Sequence, residues 1–252
     1  MYDSCPLCKS KDFAHLRNAD CRNHPMWHEC VGRLMHWQKC ATCSHVFTDG
    51  YFTPEACAQI FRKTNEHQAV GYDMERQRVI SARMVEKVLP YAFGDWLDIG
   101  FGNGSLLLTA REYGFYPVGV DLRPHGVDAI KKFAVEAYCD HFEGLNHDAR
   151  YNVISMADVL EHMPFPGSSL FQARRLMAPK GVILISMPNM DAPVWSVLDR
   201  TSQNPYWGEI EHYHNFGRRR LYSLLHENGF EPVRYGISER YRACMEVIAV
   251  AR

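Results

Sequence analysis

The sequence predicts an α/β fold with a doubly wound, mostly parallel sheet, and three observations lead to that prediction. An apolar strand, 96–99, runs into the glycine-rich bend 100–104, and a helix begins behind the bend at Ser105. A second strand ends on Asp121, about 20 residues further on, an interval typical of a nucleoside site on such a sheet. Apolar strands at 151–156 and 182–187 extend the sheet.

Charge around the glycine bend indicates which nucleoside the site takes. The glycines let the backbone approach a ligand closely, and Asp121 is placed to hold the two ribose hydroxyls. Asp98 precedes the first glycine, where a carboxylate disfavours a pyrophosphate and suits a cationic amino acid tail and a sulfonium. Ser105 stands where a dinucleotide fingerprint has its third glycine. Both features favour S-adenosylmethionine over NAD.

Composition limits the possible classes of protein. A chain of 252 residues can form one large domain or a large and a small one. A net charge of −1 predicts no general attraction to nucleic acid or to an anionic membrane. We find no apolar run near the ~20 residues of a membrane span and no signal-peptide pattern at the N-terminus, so we expect a cytoplasmic protein. Nine cysteines in such a compartment indicate ligands and core residues rather than disulfides.

The first fifty residues contain two paired C-x-x-C knuckles, Cys5/Cys8 and Cys40/Cys43. Four thiolates at this spacing predict structural zinc, because they leave no open coordination position. The loop between them is longer than usual, which leaves a mixed site possible with Cys21, Cys30, His24 and His28 as reserve ligands. Basic and acidic residues nearly balance in this segment, which argues against a nucleic-acid face and favours a clamp over the main domain.

These patterns divide the chain into a zinc-binding module (1–50), a helical connector or lid (51–93) and a main domain (94–252). In the connector, Thr53 and Pro54 predict a helix start, and Cys57 is expected to be a packed thiol within that helix. Residues 65–73 are polar and predict a loop. An apolar helical period predicts a helix over 74–88.

In the main domain, turn residues and apolar runs predict the remaining helices and strands. The predicted elements are helices over 105–114, 129–133, 171–177 and 217–228, strands over 118–121, 135–139, 151–156 and 182–187, and a final antiparallel pair over 232–237 and 245–250. The residues between Met190 and Phe216 predict a long irregular stretch, too aromatic for disorder and therefore expected to be functional.

Four segments carry a resemblance to a known family. They are Asp98-Ile99-Gly100-Phe101-Gly102-Asn103-Gly104, Asp121, Asp158-Val159-Leu160-Glu161-His162 and Pro179-Lys180-Gly181. The chain resembles class I S-adenosylmethionine-dependent methyltransferases with an N-terminal zinc-binding head, a group that includes sugar C-methyltransferases. The resemblance implies a Rossmann-like seven-stranded sheet with an antiparallel last strand. It implies cofactor binding by Asp98, Gly100, Gly102, Asn103, Gly104, Asp121, Leu122, Asp140, Ala157 and Asp158.

Methyl transfer needs a nucleophile held in line with the sulfonium methyl group and a base for its proton. The resembling group uses a Glu-His pair after the fifth strand, so Glu211 and His212 are the expected orienting group and base, with His162 as second candidate. Arg218 begins a helix, where positive charge opposes the backbone dipole. This charge indicates either a solvated basic face or an anionic small-molecule substrate contacted by Arg218 and Tyr213. Two other classes stay open: an NAD-dependent oxidoreductase and a non-catalytic zinc-headed adaptor.

Overall fold

The computed structural model describes residues 2–48, 66–145, 151–241 and 243–252. Its strands are β1 Phe13–Asp20, β2 Leu34–Cys40, β3 Val46–Thr48, β4 Asp95–Ile99, β5 Tyr116–Asp121, β6 Glu136–Cys139, β7 Tyr151–Ala157, β8 Met177–Pro188, β9 His214–Asn215, β10 Phe230–Ile237 and β11 Cys244–Ala251. Its α-helices are α1 Met74–Val88, α2 Ser105–Glu112, α3 Pro124–Lys131, α4 Pro166–Leu176, α5 Pro193–Arg200 and α6 Arg218–Glu227.

The larger of two sheets has seven strands in the order β10-β11-β8-β7-β4-β5-β6. Strands β4 to β8 run parallel to one another, and β11 lies antiparallel to both of its neighbours. The predicted Rossmann-like sheet with an antiparallel last strand is therefore confirmed. This topology brings the carboxyl ends of β4, β5 and β7 to one edge, where α/β sheets bind ligands.

Helices cover both faces of this sheet, as a doubly wound fold requires. On one face, α4 and α6 bury leucines such as Leu170 and Leu224 against β7 and β8. On the other face, α1 and α2 bury Met84, Val85 and Leu106 around Trp96, whose indole N–H donates to Ser155 Oγ at 2.8 Å. These two layers hold the glycine bend after β4 in a rigid frame.

The smaller sheet joins the N-terminal segment to the main domain. Its order is β1-β2-β3-β9, and β9 comes from the chain just before α6. Val46 and Phe47 pair with Asn215 and His214. Trp37 packs edge-to-face against Trp207 with ring centroids 5.4 Å apart, so the N-terminal sheet and the segment before β9 share one apolar cluster.

Several helix bounds differ from the prediction for a shared reason. Helix α1 has the predicted bounds, but α3 and α4 begin at Pro124 and Pro166, several residues before the predicted starts. Proline fits the first turn of a helix, and we gave these prolines too little weight. The stretch 190–216 was wrongly predicted to be irregular throughout: it contains α5, which also begins at a proline, and β9.

The turn predicted at 179–181 lies within the long strand β8, where Lys180 has a left-handed φ of 61°. The predicted helix start at Thr53 and the predicted packed thiol of Cys57 lie outside the described residues. Of the helices described, none is both long enough and apolar enough to cross a membrane.

Candidate functional site

A cleft of about 1120 Å³ lies between the N-terminal sheet and the carboxyl edge of the parallel strands. The N-terminal wall includes Arg17, Asp20 and His24. The opposite wall contains several of the predicted cofactor residues and all three predicted catalytic residues, namely Gly100, Gly102, Asn103, Ala157, Asp158, His162, Glu211 and His212. The N-terminal segment therefore forms one side of the cleft, as expected of a clamp.

The glycine bend is left-handed at each of its three glycines, with φ of 65°, 57° and 75° at Gly100, Gly102 and Gly104. A Cβ on Gly100 would lie 2.8 Å from Val159 Cγ2, and one on Gly104 would lie 2.6 Å from Ile130 Cδ1. Side chains at these two positions would therefore be both strained and crowded. The bend stays open as a backbone surface facing the cleft.

Asp121 connects the bend to the next strand. Its Oδ2 accepts from the Gly102 N–H at 3.3 Å, and Arg123 donates to both of its carboxylate oxygens, with Nε 2.8 Å from Oδ1. The Arg123 guanidinium also donates to Gln68 Oε1 at 2.8 Å. Arg123 and Gln68 were not predicted from the sequence. A ribose bound at Asp121 would have to share its carboxylate with Arg123 or displace the guanidinium.

Asp98 is buried beside the bend and accepts a hydrogen bond from Ser155 Oγ at 2.5 Å. Burial raises the pKa of this carboxyl to about 7. A small cavity next to it is lined by residues that include Gln77, Ser81 and Arg240. None of these three was predicted, because α1 and the loop before β11 reach the site only in the folded chain. A cationic group in this cavity would favour the ionised form of Asp98.

The other predicted cofactor residues divide into two groups. Ala157 and Asp158 lie at the end of β7 in the cleft, and Asp158 Oδ1 accepts from Ser186 Oγ at 2.8 Å. Leu122 and Asp140 are not among the residues lining the cleft, and Asp140 instead accepts from the backbone N–H of His141. The structure therefore brings eight of the ten predicted cofactor residues to the bend and its adjoining cavities.

The predicted catalytic residues form a compact group with a residue that had no assigned role. Glu161, His162 and His212 each place one potential ligand atom within 4.8 Å of the others. His162 Nδ1 lies 2.9 Å from the backbone oxygen of Glu211, and the His162 and His212 rings meet edge-to-face at 4.7 Å. We call Glu161, His162 and His212 the Glu161 cluster.

Burial controls the protonation of this cluster. It raises the pKa of Glu161 to about 8 and holds the pKa of His212 well below its usual range, with a further lowering by His162. Burial by itself would lower the pKa of His162, but the carboxylates of Glu161 and Glu211 raise it above its usual value. The two imidazoles therefore differ sharply in basicity.

Arg218 and Tyr213, the predicted substrate contacts, do not present their side chains to the cleft. The Arg218 guanidinium stacks over the Tyr235 ring at 4.1 Å, and the buried Tyr213 donates its backbone N–H to the backbone oxygen of Glu161 at 3.0 Å. Neither residue lines the cleft. The N-terminal wall supplies candidates that the sequence analysis did not assign to substrate, among them Arg17.

The four cysteines predicted to bind zinc do come together. Cys5 Sγ lies 3.7 Å from Cys43 Sγ, and Cys8 Sγ lies 3.6 Å from Cys40 Sγ. Sulfurs bound to tetrahedral zinc at about 2.3 Å are about 3.8 Å apart, so this donor set fits the ion. The reserve ligands lie elsewhere. Cys21 donates to backbone oxygens, Cys30 contacts His28, and His24 Nε2 lies 2.5 Å from Glu209 Oε1.

Comparison with known proteins agrees with this geometry. A family model described as a methyltransferase domain matches residues 72–235. Ubiquinone biosynthesis O-methyltransferases of Pasteurella multocida and Haemophilus ducreyi are 26% and 29% identical to this chain. Those matches cover 40% and 37% of this chain and 49% and 44% of the relatives. The chain thus spans about half the length of the curated relatives it matches.

Solved structures share the fold at lower identity. The 1,6-didemethyltoxoflavin-N1-methyltransferase of Burkholderia thailandensis, with S-adenosylhomocysteine bound, has a TM-score of 0.60 at 20% identity and covers 84% of this chain and 97% of its own. The magnesium protoporphyrin IX methyltransferase of Synechocystis, also with S-adenosylhomocysteine, has a TM-score of 0.56 at 18% identity over 73% of this chain and 89% of its own. With the family model matching well over half of its residues, this chain belongs to the family of S-adenosylmethionine-dependent methyltransferases.

Proposed function

We propose that this protein transfers the methyl group of S-adenosylmethionine to a small molecule held in the cleft. The observation that supports it most strongly is that one cleft joins the glycine bend to the Glu161 cluster. In this proposal Asp121 holds the ribose, and Asp98 faces the cationic end of the cofactor. Gly100, Gly102, Asn103, Gly104, Ala157 and Asp158 shape its binding surface.

The reaction is an in-line displacement in which a nucleophile of the acceptor forms a bond to the methyl carbon. The carbon–sulfur bond breaks, its electron pair stays on sulfur, and the acceptor's proton moves to a base. Because His162 Nδ1–H donates to the Glu211 oxygen, its Nε2 carries the free lone pair. We therefore assign the base to His162, oriented by Glu211, and keep His212 as the alternative.

The acceptor we propose is a small hydroxylated molecule methylated on oxygen. The named activity of the ubiquinone O-methyltransferase relatives supports a hydroxyl acceptor. Tyr206 and Trp207 line the cleft and offer flat surfaces for a planar or sugar-like ring. Arg76 lines it with no ion pair to any described residue, which supports an acceptor that carries negative charge.

We further propose that Cys5, Cys8, Cys40 and Cys43 bind one structural zinc ion. The fit of their sulfur separations to a tetrahedral ion supports this assignment. Four thiolates would leave the ion no position for substrate, so its role is to stabilise the wall that closes the cleft.

Calorimetry with S-adenosylmethionine, S-adenosylhomocysteine and NAD tests the proposal against its alternatives. Binding of the first two is the expected result. Binding of NAD alone would favour an oxidoreductase, and binding of none would favour a non-catalytic adaptor. Turnover on a panel of hydroxylated acids, catechols and nucleotide sugars would then identify the acceptor class.

A further inference from the structure

The residues of the Glu161 cluster are of the types that bind metal ions, as well as of the types that act as a general base. It offers one carboxylate oxygen and two imidazole nitrogens within 4.8 Å of one another. Glu161 and His162 lie in the short turn after β7, whereas His212 comes from the segment before β9. The fold therefore assembles the three residues from two distant parts of the chain at one wall of the cleft.

The ligand atoms of this cluster have unused lone pairs. Glu161 is 1% exposed, and both of its carboxylate oxygens lack a hydrogen-bond partner within the described ranges. His212 Nδ1 is also buried without a hydrogen-bond partner among the described residues. A buried carboxylate costs several kcal/mol unless it is paired, hydrogen-bonded or bound to a cation. A cation bound here would pair with the Glu161 carboxylate, whose oxygens accept no hydrogen bond from a described residue.

His162 is already oriented as metal-binding histidines are. Such residues commonly donate their second ring N–H to a backbone carbonyl, which directs the other nitrogen at the ion. His162 Nδ1 makes this contact with the Glu211 oxygen at 2.9 Å. The His162 and His212 rings meet edge-to-face with centroids 4.7 Å apart, and each offers a ring nitrogen within 4.8 Å of the other's.

We infer that Glu161, His162 and His212 bind a divalent transition-metal ion of the Mn²⁺, Fe²⁺ or Co²⁺ class at the wall of the cleft. Ligands about 2.1 Å from one ion lie up to about 4.2 Å apart, so a small side-chain rotation closes the observed spacing. One carboxylate and two imidazoles suit these ions and leave coordination positions open. An oxygen of the acceptor would occupy one of them.

The inference rests on the proposed function and changes one part of it. A hydroxyl bound to the ion loses its proton to solvent more readily, because the cation lowers its pKa. The resulting oxygen anion then attacks the methyl carbon, and sulfur keeps the electron pair of the broken bond. With the ion bound, His162 would be a metal ligand and no longer the base. The ion would then promote the loss of the acceptor's proton.

Mn²⁺ titrated into the full-length protein tests the site without measuring activity, with the free ion followed by electron paramagnetic resonance. Thiolates prefer softer ions, so the cysteine site does not compete for this probe. We expect one Mn²⁺ per chain, and we expect Glu161→Gln and His212→Ala each to weaken its binding at least about 10-fold. Glu209→Gln is the matched control, because Glu209 lines the same cleft beside His24 and lies outside the cluster.

Two results would overturn the inference: a wild-type protein that binds no Mn²⁺, or variants that bind it as the wild type does. Thermal unfolding checks that each variant folds, and if Glu161→Gln does not, His212→Ala decides the result. Calorimetry with S-adenosylmethionine on the same samples separates the two proposals. Cofactor binding without Mn²⁺ binding would contradict the metal site alone, and Mn²⁺ binding without cofactor binding would contradict the proposed function.

Discussion

At the scale of single residues, Asp98 links the cofactor site to pH. Burial raises its pKa to about 7, so near neutral pH the carboxyl of the empty protein is protonated about half of the time. Because the folded-state pKa lies above the unfolded value, this group stabilises the empty fold most at low pH. That contribution is lost as the pH rises from about 4 through 7. A bound sulfonium amino acid would favour the ionised carboxylate and reverse this preference.

Affinity for S-adenosylmethionine should therefore rise with pH across neutrality. If Asp98 contacts the cofactor as we propose, its ionised form is the binding form. Between pH 6 and pH 8 we therefore expect the Kd to fall about 10-fold, as a group titrating near 7 requires. Calorimetry at the two pH values measures the change, and Asp98→Asn is the control that should remove it. A wild-type Kd that is the same at both values would contradict this role of Asp98.

The left-handed bend gives a second prediction at this scale. Gly100→Ala places a Cβ 2.8 Å from Val159 Cγ2 at a φ of 65° and should destabilise the fold by about 1–2 kcal/mol. Gly144→Ala is the matched control, since a Cβ there meets nothing within 4 Å. Urea unfolding of both variants provides the comparison. Equal stabilities would show that the bend relaxes around the new methyl group.

At the scale of elements, the pairing of β3 with β9 connects the cysteine cluster to the histidines. Cys40 ends β2, which pairs with β3, and β9 begins two residues after His212. His45 Nε2 lies 3.1 Å from His214 Nδ1, which adds a buried side-chain contact to this connection. The position of His212 therefore depends on the folding of the N-terminal sheet, to which β9 is paired.

Loss of the zinc ion that we propose at the four cysteines should therefore impair catalysis more than cofactor binding. We expect Cys40→Ser to lower bound zinc from one per chain towards none and to reduce kcat at least about 10-fold. The Kd for S-adenosylmethionine should change little, because the glycine bend belongs to the other sheet. Metal analysis and kinetics test this expectation, with Cys139→Ser, an exposed thiol on β6, as control. Unchanged kcat in a zinc-free variant would contradict it.

At the scale of the whole molecule, sequence reasoning reached the architecture and only part of the site. The apolar period of α1 and the glycine bend are local signals, and both led to correct elements. Gln68 next to Arg123 and Gln77 next to Asp98 depend on tertiary contacts that no short motif records. The same is true of the meeting of Glu161 and His162 with His212, which follows them by 50 residues in the sequence.

The cleft also depends on how the N-terminal sheet packs against the main domain. Trp37 is fully buried in that contact, and its indole N–H donates to the Trp207 oxygen at 2.8 Å. Trp37→Ala should lower the free energy of unfolding by about 3–5 kcal/mol, because it removes a large buried side chain and leaves a cavity. Leu16→Ala, at an exposed position on β1, should change it little.

The two walls of the cleft should respond differently to Trp37→Ala. At a temperature where the variant stays folded, we expect a higher KM for the acceptor, because Arg17 and His24 lie on the N-terminal wall. The Kd for S-adenosylmethionine should stay within about 2-fold of the wild type, since the bend and Asp121 belong to the seven-stranded sheet. Steady-state kinetics and calorimetry measure the two quantities. A parallel loss of both would mean that cofactor and acceptor share the N-terminal wall.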